Sequence, residues 1–429
     1  MMYRLYNLLL ILATPLLLLR LLWRSRHAPD YRRRIRERFG ALPSPPNKGG
    51  IWLHAVSVGE VQAAEPLIRR LLRDHPEWPL TLTTTTPTGS ARARLLFGER
   101  LYHSYCPYDL PFAMRRFLDR VAPRQVVLME TEIWPNLLIQ CQQRGIPTLL
   151  ANARLSARSA RGYARLGDFT RKIFAQMDRV AVQSAEEQER FIRLGVLPQR
   201  IQVTGSMKFD MTLPPSLRER GELLKFDWQG RPVWVAGSTH AGEEEQVIAA
   251  HREILQHLPN ALLVLVPRHP ERFAQVAALV QQGDTMTLQR RSSGETLRAD
   301  TQVLIGDSMG ELLLFFLAAD AAFVGGSLVE RGGHNLLEPL LCGLPVAFGP
   351  YTFNFAHIAQ LLQQRGAGVE VADAQQLARV LLAWLRDATL RAEIAERGAA
   401  VMIENRGAVE RLYQLIVGEK SVVESATNS

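Results

Sequence analysis

The feature that most constrains this chain is a twice-repeated alternation of short β-rich runs with stretches of helical apolar spacing. The first series places strands at 51–56, 80–86, 125–130, 148–152, 179–182 and 201–204, with amphipathic segments such as 61–73 and 113–121 between them. The second places strands at 233–236, 261–266, 301–305, 321–324 and 346–348. Strands that alternate with helices pair in parallel, and a parallel sheet needs helices on both faces, so each series predicts a doubly wound α/β domain. A chain of 429 residues exceeds the usual size of one core, which agrees with two domains. The expected boundaries are an apolar segment with a basic flank at 1–49, a first domain at 50–210, a strand-free linker at 211–230, a second domain at 231–416 and a polar tail at 417–429.

Charge is concentrated at the start. Residues 1–48 hold ten Lys/Arg against two acidic residues, which accounts for eight of the nine net positive charges. The remainder is close to neutral, which argues against a nucleic-acid partner. The basic block follows an apolar run of roughly fifteen residues, 5–19, where about twenty are needed to cross a bilayer. Pro15 and Arg20 weaken a spanning reading, although Leu21, Leu22 and Trp23 could extend the run with Arg20 snorkelling, and no small-residue cleavage site follows. An anchor would put its Arg-rich flank on the cytoplasmic face; the alternative is a helix packed on the protein's own core. Cys106, Cys141 and Cys342 are widely spaced and show neither a disulfide framework nor a metal-ligand spacing.

Open α/β sheets bind ligands beyond the carboxyl ends of their strands, so the loops there carry the candidate chemistry. In the first domain, Ser57 and Glu60 have the spacing of a capping box, yet a carboxylate at a strand mouth also suits a general base. Glu130 and Glu132 stand at the end of a buried strand. They read as a paired-carboxylate hydrolase site, as one negative charge stabilising an oxocarbenium-like sugar, or as an exposed Glu132 beside a Glu130 that pairs an arginine. Lys208 follows a strand and a Gly-containing turn, where a lone lysine is usually solvated.

In the second domain, Arg268 and His269 end an apolar strand, where a guanidinium grips phosphate or carboxylate; pairing of Arg268 with Glu271 is the plain alternative. Met309, Gly310 and Glu311 follow Asp307 and Ser308, either of which could cap a helix whose free N–H groups form an anion site. The longest glycine-rich stretch, 323–339, leaves bare backbone after a strand and then presents Asn335, Leu336, Leu337 and Glu338. Glu338 stands where it could hold ribose hydroxyls, and seven residues separate it from Glu330. No paired-aspartate metal motif stands at a strand end.

These motifs, HAVSVGE, TTTTPTGS, METEIWPN, ANARLSARSA, TGSMKFD, STHAGEE, VPRHPERF, GDSMGEL and VGGSLVERGGHNLLEP in this order, resemble those of the 3-deoxy-D-manno-octulosonic acid (Kdo) transferases of lipopolysaccharide biosynthesis. The resemblance runs to about residue 416 without departure at the motif residues. It implies two Rossmann-like domains facing across a cleft, the glycosyltransferase B architecture, and transfer of Kdo from CMP-Kdo to a lipid A precursor with inversion. It implies Glu60 as proton acceptor, Glu130 and Lys208 as transition-state stabilisers, and three CMP-binding segments: Arg268–His269, Met309–Gly310–Glu311 and Asn335–Leu336–Leu337–Glu338. No metal or other cofactor is implied, and the setting is the cytoplasmic face of the inner membrane. A sugar-nucleotide epimerase of the same architecture and a non-enzymatic membrane scaffold are the alternatives.

Overall fold

A computed structural model describes residues 2–26, 29–43, 45, 47–282 and 286–418. It divides into two compact units, one of residues 1–210 with 406–429 and the other of 211–405. The expected tail beyond residue 418 lies outside the described residues.

The first unit holds a seven-stranded sheet: β1 Ile51–His54, β2 Leu80–Thr84, β3 Tyr102–Tyr105, β4 Gln125–Met129, β5 Thr148–Ala153, β6 Arg179–Val182 and β7 Ile201–Val203. Their order is β3-β2-β1-β4-β5-β6-β7 and every pairing is parallel. The central strands are buried along their whole length, as apolar runs covered on both faces must be. The second unit repeats the plan with β8 Val233–Thr239, β9 Leu262–Pro267, β10 Leu288–Arg290, β11 Val303–Ile305, β12 Ala321–Val324, β13 Val346–Phe348 and β14 Gly368–Glu370, ordered β10-β11-β9-β8-β12-β13-β14. Strand order reverses between β1 and β4 in one sheet and between β8 and β12 in the other. The loops after those four strands diverge there and open a crevice in each unit.

Two expected boundaries are corrected. The stretch 211–230 is not a plain linker: it contains the helix Pro215–Asp227, which belongs to the second unit and packs on the helix Leu312–Ala318. Gly221 permits that approach, since a Cβ there would stand 2.4 Å from the Leu317 side chain. The expected second domain also ended too late. The helix Ala408–Val417 returns to the first unit, burying Leu412 and Ile416 among Leu67, Ile68 and Leu71. Asp210 fixes its start by accepting the Gly407 and Val409 N–H groups at 2.6 and 2.5 Å.

The N-terminal helix is longer than its apolar run suggested, spanning Met2–Arg24 with Pro15 inside. It is long and apolar enough to cross a membrane, but Leu21 is its one buried residue among those described. Leu8, Leu9, Leu12, Leu16, Leu19 and Trp23 are more than half exposed, so this face of the helix is not covered by the core. The basic flank divides. Arg20, Arg24, Arg26, Arg32, Arg33 and Arg36 are exposed, whereas Arg38 is 2% exposed and donates to the Thr85 carbonyl at 2.9 Å. Arg34 is likewise held, 2.6 Å from Glu37 and 3.0 Å from the His103 carbonyl.

Candidate active site

In the first unit, Glu60 and Glu130 follow β1 and β4, the two strands that flank the reversal. Ser57 caps the helix Val58–Asp74, and the capping box is formed: Ser57 Oγ accepts from the Glu60 N–H at 3.4 Å and donates to Glu60 Oε1 at 3.2 Å. The other oxygen, Oε2, accepts from the Val56 N–H at 2.7 Å. The structural and catalytic readings of Glu60 are therefore compatible, because the box orients the carboxylate. Burial pushes its pKa up to about 7, the Val56 bond opposes the rise, and the charges of Glu130 and Glu132 add to it. A carboxyl with that pKa is balanced between its two protonation states at neutral pH.

Glu130 sits at φ 57, a left-handed conformation rare for a residue with a side chain. Its own N–H stays in the sheet, donating to the Ala151 carbonyl at 2.9 Å. Glu132 accepts from the Trp134 indole at 2.7 Å and is raised by burial, so it is not the exposed residue one reading expected. Lys208 follows β7 at the sheet edge, but the chain doubles back over the strand ends. The Met207 N–H donates to the Asn152 side chain at 3.1 Å, and Asn152 is the penultimate residue of β5, next to β4. Lys208 is thereby drawn into a site where burial lowers its pKa and the charge of Glu130 opposes that lowering. It is not the solvated lysine of the alternative reading.

In the second unit, the loops after β8 and β12 meet. Glu243 is fully buried and accepts from the backbone N–H groups of His240, Gly326 and Leu328 at 2.7, 2.6 and 3.4 Å. Gly325 has to be glycine, since a Cβ would stand 2.7 Å from Glu243 Oε1, the Ser238 carbonyl and Thr239 Cα. The ring nitrogens Nε2 of His240 and His334 lie 2.8 Å apart, and the His269 ring stands 5.3 Å from that of His240. Burial, followed by neighbouring cationic groups, lowers His240 and His334 to about 4. Asn335 donates to Glu338 Oε1 at 3.2 Å and accepts from the Leu337 N–H at 3.2 Å. Burial raises Glu338, while the Asn335 bond and the Arg268 charge hold it down. Glu271 stands 3.9 Å from His269, and the influence of Arg268 falls on His334 and Glu338. Glu330 is exposed.

The third expected segment differs from its description. The helix after Met309–Glu311 starts only at Leu312, and no side chain caps it. Asp307 instead holds the 290–292 turn, 2.7 Å from Arg290 Nε and 2.8 Å from the Ser292 N–H. Glu311 pairs with Arg291 at 3.1 Å, and Gly310 at φ 85 makes the turn that leaves Met309 exposed. His240, Glu243 and His334 were not singled out from sequence. The histidine and glutamate of STHAGEE, three apart directly after a strand, were the available signal.

Known proteins show the same organisation. The family model described as 3-deoxy-D-manno-octulosonic-acid transferase (kdotransferase) matches residues 33–211, and that of glycosyl transferases group 1 matches 241–401. A 3-deoxy-D-manno-octulosonic acid transferase of Haemophilus influenzae is 43% identical over 96% of this chain and 97% of its own. One of Bordetella pertussis is 38% identical over 87% and 88%. In structure, a UDP-GlcNAc 2-epimerase from Neisseria meningitidis superposes with a TM-score of 0.58 at 12% identity, covering 86% of this chain and 99% of that one, a likeness of fold alone.

Proposed function

Because the chain belongs to the Kdo transferase family and is a glycosyltransferase of lipopolysaccharide biosynthesis, we propose that it transfers Kdo from CMP-Kdo to a lipid A precursor with inversion, Glu60 being the general base. The observation that carries this reading is the state of Glu60: a half-buried carboxylate, oriented by its capping box at the strand reversal, with a pKa of about 7. The acceptor hydroxyl gives its proton to Glu60 as its oxygen bonds to the anomeric carbon, and the bond from that carbon to the CMP phosphate breaks. Glu130 stabilises the positive charge that develops on the sugar, and Lys208, a cation, stabilises the negative charge that develops on the departing phosphate.

CMP is assigned to Arg268, His269, Met309, Gly310, Glu311, Asn335, Leu336, Leu337 and Glu338. The Asn335–Glu338 pair supports this, since a carboxylate already hydrogen-bonded on one oxygen can accept from ribose hydroxyls on the other. With one phosphate to neutralise, Arg268 and bare backbone N–H groups suffice, and no metal is required. The exposed apolar face of the helix Met2–Arg24 and its arginine flank suit an anionic inner-membrane leaflet, reached from the cytoplasmic side.

Incubation with CMP-Kdo and a lipid A precursor, followed by mass spectrometry of the lipid, tests the reading. A Kdo mass increment that survives a chelator is expected. An unmodified lipid beside consumed CMP-Kdo would remove the acceptor assignment, and loss of activity on chelation would remove metal independence.

A further inference from the structure

The helix Pro135–Gln143 follows directly on the loop that carries Glu130 and Glu132, and its own cap position is occupied by Trp134, which provides no capping bond. Trp134 is committed elsewhere, since its indole holds Glu132. The cap comes instead from Asp109, on another segment. Its two carboxylate oxygens accept the Asn136 and Leu137 N–H groups, each at 2.9 Å, and its carbonyl accepts from the Asn136 side chain at 2.5 Å. Asp109 is 3% exposed, and burial pushes it up to about 7 against those bonds. A local Ser or Asp would cap the same helix without burying a charge, so helix stability alone does not account for this arrangement.

The same bracket receives the start of the apolar N-terminal helix. Tyr6 donates to Asp109 Oδ2 at 2.9 Å, Tyr3 donates to Asn136 Oδ1 at 2.6 Å, and Asn7 Oδ1 accepts from Asn136 Nδ2 at 2.7 Å. Five residues, 130–134, separate the end of β4 from the capped helix. With both ends of that span tied, a shift of the helix start moves Glu130 and Glu132.

We propose that Asp109 is a positioning residue for the transfer reaction, joining Tyr6 of the lipid-facing helix to the helix start behind Glu130 and Glu132, so that seating on a lipid surface sets where those carboxylates stand. This rests on the site assigned under the proposed function. Tyr6→Phe removes one hydroxyl and keeps the ring, and Asp109→Asn removes the charge. Both are compared with the unmodified chain for turnover of a de-acylated, water-soluble disaccharide acceptor and of the membrane-bound lipid acceptor, and for amide hydrogen exchange over 130–137, with and without phosphatidylglycerol-containing vesicles. In each variant kcat falls about tenfold while the KM for CMP-Kdo stays unchanged, as expected for loss of one bond to a charged group. Vesicles slow exchange over 130–137 in the unmodified chain and not in Tyr6→Phe, which still sediments with them. An equal vesicle response in both chains, or none in the unmodified one, overturns the proposal whichever acceptor proves correct. A Tyr6→Phe effect confined to membrane-bound acceptor also overturns it, because the helix would then act by docking alone. Failure of the unmodified chain on the soluble acceptor counts against the acceptor assignment, and the exchange comparison still decides the coupling.

Discussion

A carboxyl group costs most where it is most useful, and Glu60 shows both sides. Its folded pKa of about 7 lies above the ordinary carboxylate value, so the ionised form is disfavoured by folding. Below the unfolded pKa the group is neutral in both states and costs nothing. As pH rises from there through about 7, its contribution to stability is lost. Transfer runs in the opposite sense, since a base must be ionised, and the acid limb of kcat/KM is expected to have its midpoint near 7. Glu60→Gln retains an acceptor for the Val56 N–H, so it keeps the fold and unfolds at a higher temperature than the parent at pH 8. Turnover drops by about 10² to 10⁴ with CMP affinity unchanged. Calorimetric titration with CMP beside a turnover assay checks both, and a variant with near-normal turnover would eliminate Glu60 as the base. Glu130 carries a different cost. Its left-handed backbone costs roughly 1–2 kcal/mol relative to glycine, a form of strain that accumulates at functional sites. Glu130→Gly is expected to raise the free energy of unfolding by about 1 kcal/mol in a denaturant titration while transfer is lost.

At the scale of elements, what the sequence made legible follows burial. Strands 179–182, 321–324 and 346–348 coincide with β6, β12 and β13, because apolar β-branched runs in a sheet covered on both faces have no other use. The strands that escaped, β3, β10 and β14, all lie at sheet edges, and their sequences Tyr-His-Ser-Tyr, Leu-Gln-Arg and Gly-Val-Glu carry little apolar signal. In the candidate site, loops that follow a strand directly were readable. Lys208 was readable only as a position, since its approach to β4 depends on Asn152, fifty-six residues earlier. The trans cap by Asp109 left no local trace either, as it joins segments that only the fold brings together. The return of the helix Ala408–Val417 to the first unit is hidden for the same reason: its apolar face shows that it packs but not on what. Asp210 ties it down, so Asp210→Ala should cost about 1–2 kcal/mol, the loss of a helix cap. Limited proteolysis should then cut near residue 406 and leave 211–405 protected. Protection at 406 equal to the parent's would mean that apolar packing alone holds the helix.

For the whole molecule, the division between the two units has a consequence that can be measured. Residues 211–405 contain a complete seven-stranded sheet with buried clusters on both faces. Trp234, Val247, Leu263 and Phe323 lie in one, and Val235, Val264, Phe315 and Phe316 in the other. Every residue assigned to CMP lies within those limits, as do the supports of its loops: Glu243 beneath Gly326 and Leu328, and Met211 beside Asn335 at 3.4 Å. At about 195 residues the piece is large enough to bury a core of its own. Residues 211–405 expressed alone are therefore expected to unfold cooperatively and to bind CMP within about threefold of the full chain, without catalysing transfer. Residues 1–210 alone should fare worse, because removing the helix Ala408–Val417 uncovers Leu67, Ile68 and Leu71. Calorimetric titration of the isolated 211–405 piece with CMP decides the matter. A folded piece that leaves CMP unbound would show that nucleotide recognition draws on residues outside it, and the CMP assignment would have to be redrawn to include them.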